Sequence, residues 1–180
     1  FSIQDLHCDY YGTSLHKWLT VPLGAGFLYI KKEQITDLWP LFAEDPRDSE
    51  DILRLNHVGT YPVQTDLAVV NAIDYHHKIG GSRKEARLRY LQKYWTDQVR
   101  DLPRVVVNTP VESSRYCAIG NVGIETIDPA DFAKQLLDDY QIWTVAIDRP
   151  GVRGLRITPN LFTTPKELDV LVKAIKELST

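Results

Sequence analysis

The chain has 180 residues, of which 43% are hydrophobic and 25% charged, with a formal net charge of −3; this is the profile of a globular protein with enough chain to bury a core. The charge gives no electrostatic reason to expect nucleic acid or an anionic membrane as partner, and no apolar run approaches the ~20 residues of a spanning helix. Cys8 and Cys117 make neither a metal-ligand spacing nor a disulfide framework, which points to a reducing compartment, taken here as the cytoplasm.

The text opens on a strand-like "FSI" at Phe1 and contains no methionine, so the chain reads as the C-terminal portion of something longer. Residues 10–30 are aromatic and β-like, with Pro22, Gly24 and Gly26 punctuating them before "FLYI", a short buried-strand pattern. Residues 31–39 suit a short helix, and residues 40–56 mix acidic and basic side chains like an exposed loop. After Gly59, Thr60, Tyr61 and Pro62 the period turns helical. Ala68, Ala72, Tyr75 and Ile79 repeat on one face; Gly80 and Gly81 interrupt; then Leu88, Leu91, Trp95, Val99 and Leu102 resume the stripe. That pattern predicts a pair of helices, or one bent helix, bridging a first domain at residues 1–80 and a second at 81–180.

Downstream, "RVVVN" and "YCAIGNVGIET" are strand patterns joined by turn chemistry. Asp128 before Pro129 and Asp131 marks a helix start, because proline suits the first helical position and acid suits the first turn. "IWTVAI" and "LRIT" are further short strands. Thr164, Pro165, Lys166 and Glu167 form a capping box ahead of the stripe Leu168, Val172, Ile175 and Leu178. The second half is thus a small α+β domain, and the first thirty residues read as a piece of a larger α/β domain.

The chemistry concentrates at "TSLHKWL". A lone lysine is most often a solvated surface charge, but Lys17 stands among aromatic and apolar residues, where burial would cost an ammonium several kcal/mol and lower its pKa. The neutral amine is the form that condenses with an aldehyde. Ser14 and His16 offer a hydroxyl and an imidazole, both able to donate hydrogen bonds to phosphate oxygens. One short segment could hold both ends of a phosphorylated aldehyde.

At "TSLHKWLTVPLGAGFLYIKK" the sequence resembles aminotransferase class V, a family of fold-type I, pyridoxal-phosphate (PLP) enzymes. "HVGTYP" and "GLRITPNLFTTPKELDVL" follow in the family's order, the latter similar to its closing arginine motif, and the wording is closest to isopenicillin-N-epimerase-like members. The resemblance implies an α/β fold-type I architecture, cut to the end of the large domain plus a small α+β C-terminal domain. It implies that Lys17 carries PLP as a Schiff base and moves the proton at Cα. It further implies that Ser14 and His16 bind the cofactor phosphate and that Thr60 reaches the phosphate of a neighbouring subunit, hence a homodimer with shared active sites. Arg156 would clamp the α-carboxylate of a small amino acid substrate. The family's ring-nitrogen aspartate would fall upstream of Phe1.

These residues also have plainer readings: Arg156 as a surface charge, Gly59 and Thr60 as a turn, His16 as a half-buried core histidine; Asp9, eight residues before Lys17, matches an acid usual in the family at that place but reads as structural. Gly24, Ala25 and Gly26 open into a strand rather than a helix and so do not make a dinucleotide loop. Adjacent His76 and His77 lack the i, i+4 spacing of a helical metal pair, and no metal is expected. "SRKEARLRYLQK" carries an apolar stripe and reads as a solvated helix face. Cys117, within a strand pattern, reads as a buried small hydrophobe rather than a desulfurase nucleophile. Two hypotheses follow: an amino-acid-acting PLP enzyme of aminotransferase or epimerase type, of which this chain alone is inactive, or a non-catalytic folding and dimerisation module with an incomplete cofactor site.

Overall fold

The computed structural model describes residues 2–42, 48–56 and 59–180, and the chain divides into two compact units, residues 1–78 and 79–180. In the first unit the strand-like opening is overturned. Ser2 caps helix α1 (Ile3–Leu6): the Asp5 N–H donates to its hydroxyl at 3.3 Å and its own N–H donates to the Asp5 carboxylate at 2.8 Å. Two reciprocal bonds at a helix start outweigh the β-propensity of a three-residue run, of which Phe1 lies outside the described residues.

Strand β1 (Tyr10–Ser14) pairs antiparallel with β2 (Gly26–Ile30), Tyr10 opposite Ile30 and Ser14 opposite Gly26. The short helix foreseen at residues 31–39 contracts to one 3-10 turn, Lys32–Gln34. Its continuation is pre-empted because the Arg54 guanidinium takes the carbonyls of Ile35 and, at 2.6 Å, Leu38. Arg54 itself stands on a second 3-10 turn, Ile52–Leu55, capped where Asp51 accepts from the Leu53 N–H at 2.9 Å. The described part of the 40–56 loop is largely exposed, and residues 43–47 lie outside the description. Helix α2 (Val63–Ile79) completes the unit and buries Ala72, whereas Tyr75 of the expected stripe is 54% exposed.

In the second unit, helix α3 (Gly81–Val99) begins at Gly80, whose φ of 87° only glycine adopts readily; the helical stretch is two helices rather than one bent helix. Four antiparallel strands follow, β3 (Val105–Val107), β4 (Gly120–Ile124), β5 (Val145–Arg149) and β6 (Val152–Ile157), in the sheet order β3-β4-β6-β5. Helix α4 (Pro129–Tyr140) is capped by Asp128 accepting from the Ala130 N–H, and α5 (Pro165–Leu178) carries the Thr164 and Glu167 capping box. Leu91, Trp95 and Val99 of α3, Phe132 and Leu136 of α4 and Val172 and Ile175 of α5 close over Val122, Ile124, Leu155 and Ile157 of the sheet. Each fully buried large apolar side chain contributes about 1.5–3 kcal/mol, so this cluster is the thermodynamic centre of the unit. The other face of the sheet carries Asn121, Val145 and Arg156 at neighbouring register positions. Cys117 is not in a strand: it sits in a bend before β4, half-buried, since pairing begins only at Gly120.

Candidate active site

The lysine segment leaves β1 at Ser14 and returns to β2 at Gly26, and backbone hydrogen bonds pin its base. The Leu15 N–H donates to the Ala25 carbonyl at 3.0 Å and the Val21 N–H to the Leu15 carbonyl at 3.2 Å. At its tip the Thr20 N–H, from a residue at φ 63°, donates to the Lys17 carbonyl at 3.2 Å. Val21 and Ala25 are buried with Ala72, and Leu15, Leu19 and Val69 pack against them. Leu15, Leu19, Val21 and Ala25 therefore fix the loop on Val69 and Ala72 of α2, while Leu23 is left exposed.

This arrangement corrects the expectation that Lys17 is desolvated by its aromatic and apolar neighbours. Val21 is buried with Leu15 and Leu19 partly buried against its cluster, and Lys17 is exposed. Ser14 is exposed at the end of β1 and His16 is half-buried. None of the three side chains takes a hydrogen bond or ion pair from a described residue. Asp9 is engaged elsewhere: its carboxylate lies 3.8 Å from Lys31 Nζ and its carbonyl accepts from the Lys31 N–H at 2.9 Å, a structural role at the strand ends. A hydroxyl and an imidazole that can donate to a phosphate, and a lysine whose neutral amine form can condense with an aldehyde, stand within four residues, the lysine without an ion pair among the described residues.

Thr60 is exposed and follows Gly59, whose φ is 60°, just ahead of α2. His57 and Val58 of the "HVGTYP" motif lie outside the described residues. Arg156 belongs to the second unit, exposed on β6 opposite Asn121 of β4 and Val145 of β5. Its guanidinium has no hydrogen bond or ion pair with a described residue, in contrast to Arg153, which binds Asp148 at 2.8 Å. Two side chains passed over by the sequence reading stand beside it. Asn108 Nδ2 donates to Asn121 Oδ1 at 2.6 Å, and the only sequence signal was that amides replace apolar residues in strand text.

Among the described residues no three His, Cys, Asp or Glu side chains gather as a metal site. His76 and His77 stack edge to face at 5.8 Å, with His76 Nδ1 buried and unpartnered. No described helix is long and apolar enough to cross a membrane.

Solved structures share this architecture. An apo cysteine desulfurase from Thermococcus onnurineus NA1 superposes with a TM-score of 0.84 at 22% identity, covering 98% of this chain and 48% of that one. A mutant of the enzyme C-DES with glycine covalently linked to its PLP cofactor gives 0.82 at 15% identity, again over 98% and 48%. The fold is the C-terminal portion of fold-type I PLP-dependent enzymes. The family described as aminotransferase class-V matches residues 1–146, and the chain belongs to that family. A curated relative, isopenicillin N epimerase of Amycolatopsis lactamdurans, is 32% identical over 190 aligned residues covering 97% of this chain and 48% of the relative. The chain spans about half the length of the curated relatives it matches.

Proposed function

We propose that this chain is the lysine-bearing half of a PLP enzyme that acts on an amino acid by epimerisation or amino transfer. The observation that carries the reading is the Lys17 loop: its base is pinned, Val21 and Ala25 are buried with Leu15 and Leu19 packed partly buried against them, and its amine is presented to solvent in the same segment as Ser14 and His16. When bound, PLP supplies an electron sink for a bond breaking at the substrate Cα. Lys17 Nζ would hold the cofactor at its aldehyde carbon and would take or return the proton at the substrate Cα. Ser14 Oγ and a His16 ring nitrogen would hold the phosphate by donating hydrogen bonds to it. Thr60 donates to the phosphate of a neighbouring subunit, which makes the working form a homodimer. Arg156 clamps the substrate α-carboxylate through its planar fork. The relative named isopenicillin N epimerase supports the epimerase variant of this chemistry. Desulfuration fits less well, because Cys117 is half-buried. Both cysteines are free, which suits a reducing compartment such as the cytoplasm.

The test is borohydride reduction of the full-length protein with PLP, followed by peptide mass mapping. A reduced adduct on Lys17 is the expected result; an adduct elsewhere, or none, overturns the assignment. The exposure of Ser14, Lys17 and Thr60 favours one second reading, a folding and dimerisation module with an incomplete cofactor site. In that case the protein stays colourless when PLP is added.

A further inference from the structure

Arg156 lines a cleft of about 300 Å3 in the second unit, together with Asn108, Thr109, Arg115, Tyr116 and Asn121; Arg115 is ion-paired with Glu112 at 3.8 Å. Asn121 is its direct cross-strand partner, so the two side chains leave the sheet on the same face with Cβ atoms about 4.5–5.5 Å apart. Asn121 is unusually constrained for a strand residue. Its N–H donates to the hydroxyl of buried Thr109 at 2.8 Å and its carbonyl accepts from the Asn108 N–H at 3.0 Å. Its side-chain Oδ1 accepts from Asn108 Nδ2 at 2.6 Å, and the same Nδ2 donates to the Arg153 carbonyl at 3.0 Å.

With Oδ1 committed as acceptor, the amide plane of Asn121 is set and Nδ2 carries donors that meet no acceptor among the described residues. A half-buried amide with a solvent-facing donor group and, beside it, an exposed guanidinium that has no hydrogen bond or ion pair among the described residues can together receive an anion. A carboxylate offers about four lone-pair positions, of which a bidentate arginine occupies two. The neutral amide can fill a third without repelling the guanidinium, as a second cation would.

We propose that Asn121 is the second arm of the carboxylate subsite, donating from Nδ2 to the same substrate carboxylate that Arg156 clamps, with Asn108 as the positioning residue that fixes its amide. The proposal rests on the reading of Arg156 as the clamp. Asn121→Asp is informative because its carboxylate still accepts from Asn108 yet places a negative charge next to Arg156.

The experiment is calorimetric titration of the full-length, cofactor-free protein with acetate as the carboxylate probe, in wild type and in Asn121→Ala, Asn121→Asp and Arg156→Ala, with melting temperatures to establish folding. A hydrogen bond to a charged group predicts that Asn121→Ala weakens acetate about tenfold, and Asn121→Asp weakens it further. Loss in Arg156→Ala with wild-type binding in both Asn121 variants overturns the role of Asn121 and leaves the clamp standing. Wild-type binding in all three variants overturns the clamp as well. If Asn121→Ala fails to fold, Asn121→Asp, which keeps the Asn108 bond, decides the outcome.

Discussion

Ser14 and Gly26 are Cα partners at the last register position of β1 and β2, and a methyl group built on Gly26 would lie 2.8 Å from the Thr13 carbonyl oxygen. The hairpin therefore closes tightly at the point where the lysine loop leaves it. Gly26→Ala must push Thr13 and Ser14 away, at a cost of about 1–3 kcal/mol typical of overpacking. Chemical denaturation should show that loss, and PLP titration should show weaker binding because Ser14 moves with Thr13.

Lys17 is exposed and without a partner among the described residues, so its removal should leave folding intact. Lys17→Ala is expected to change stability by less than about 0.5 kcal/mol while abolishing the borohydride-trapped adduct. A large fall in melting temperature would mean that the lysine is structural.

Arg156→Ala in the full-length protein should raise the dissociation constant for an amino acid substrate and leave that for PLP unchanged, because Arg156 lines a cleft of the second unit and makes no hydrogen bond or ion pair among the described residues. Equal losses in the two titrations would count against a carboxylate clamp.

Trp95 has 0% of its surface exposed, and its Nε1–H donates to Gln92 Oε1 at 3.2 Å. Trp95→Ala should destabilise the second unit by about 3–5 kcal/mol, the usual cost of emptying an indole-sized core site. Urea denaturation followed by circular dichroism measures it.

The capping box of α5 carries an acid sensitivity. The Thr164 N–H donates to Glu167 Oε2 at 2.7 Å and the Thr164 hydroxyl at 2.9 Å, and these bonds hold the Glu167 carboxyl below its usual value of 4.5. A carboxyl with a folded value below its unfolded one stabilises fully above the unfolded value and loses that contribution as pH falls toward the folded one. Melting temperature should therefore drop more steeply in wild type than in Glu167→Gln as pH is lowered from about 5 to about 3. Parallel curves would show that the cap contributes nothing.

The legible parts of this protein were those governed by neighbours in sequence. Asp128 and Pro129, and Thr164 with Glu167, announce helix starts because a cap is satisfied within three residues. The stripe Leu88, Leu91, Trp95 and Val99 announces a buried face because helical periodicity is local, and all four are buried. The strand-like opening misled because a capping box at Ser2 and Asp5 outcompetes a short β-prone run. Residues 31–39 misled because Arg54, far along the chain, takes the carbonyls that a longer helix would have used.

The site divides along the same line. The sequence by itself determined the donor set at Ser14, His16 and Lys17, since residue type and spacing decide which groups one loop can offer, and it singled out Arg156 through the motif around it. Only the tertiary structure decided that Lys17 stands in solvent, because which side chains of a loop turn inward depends on the apolar surface of α2 beneath Leu15 and Leu19. It alone set Asn121 opposite Arg156, because strand register comes from backbone hydrogen bonds between segments 35 residues apart, and a one-residue slip would have sent the amide to the other face.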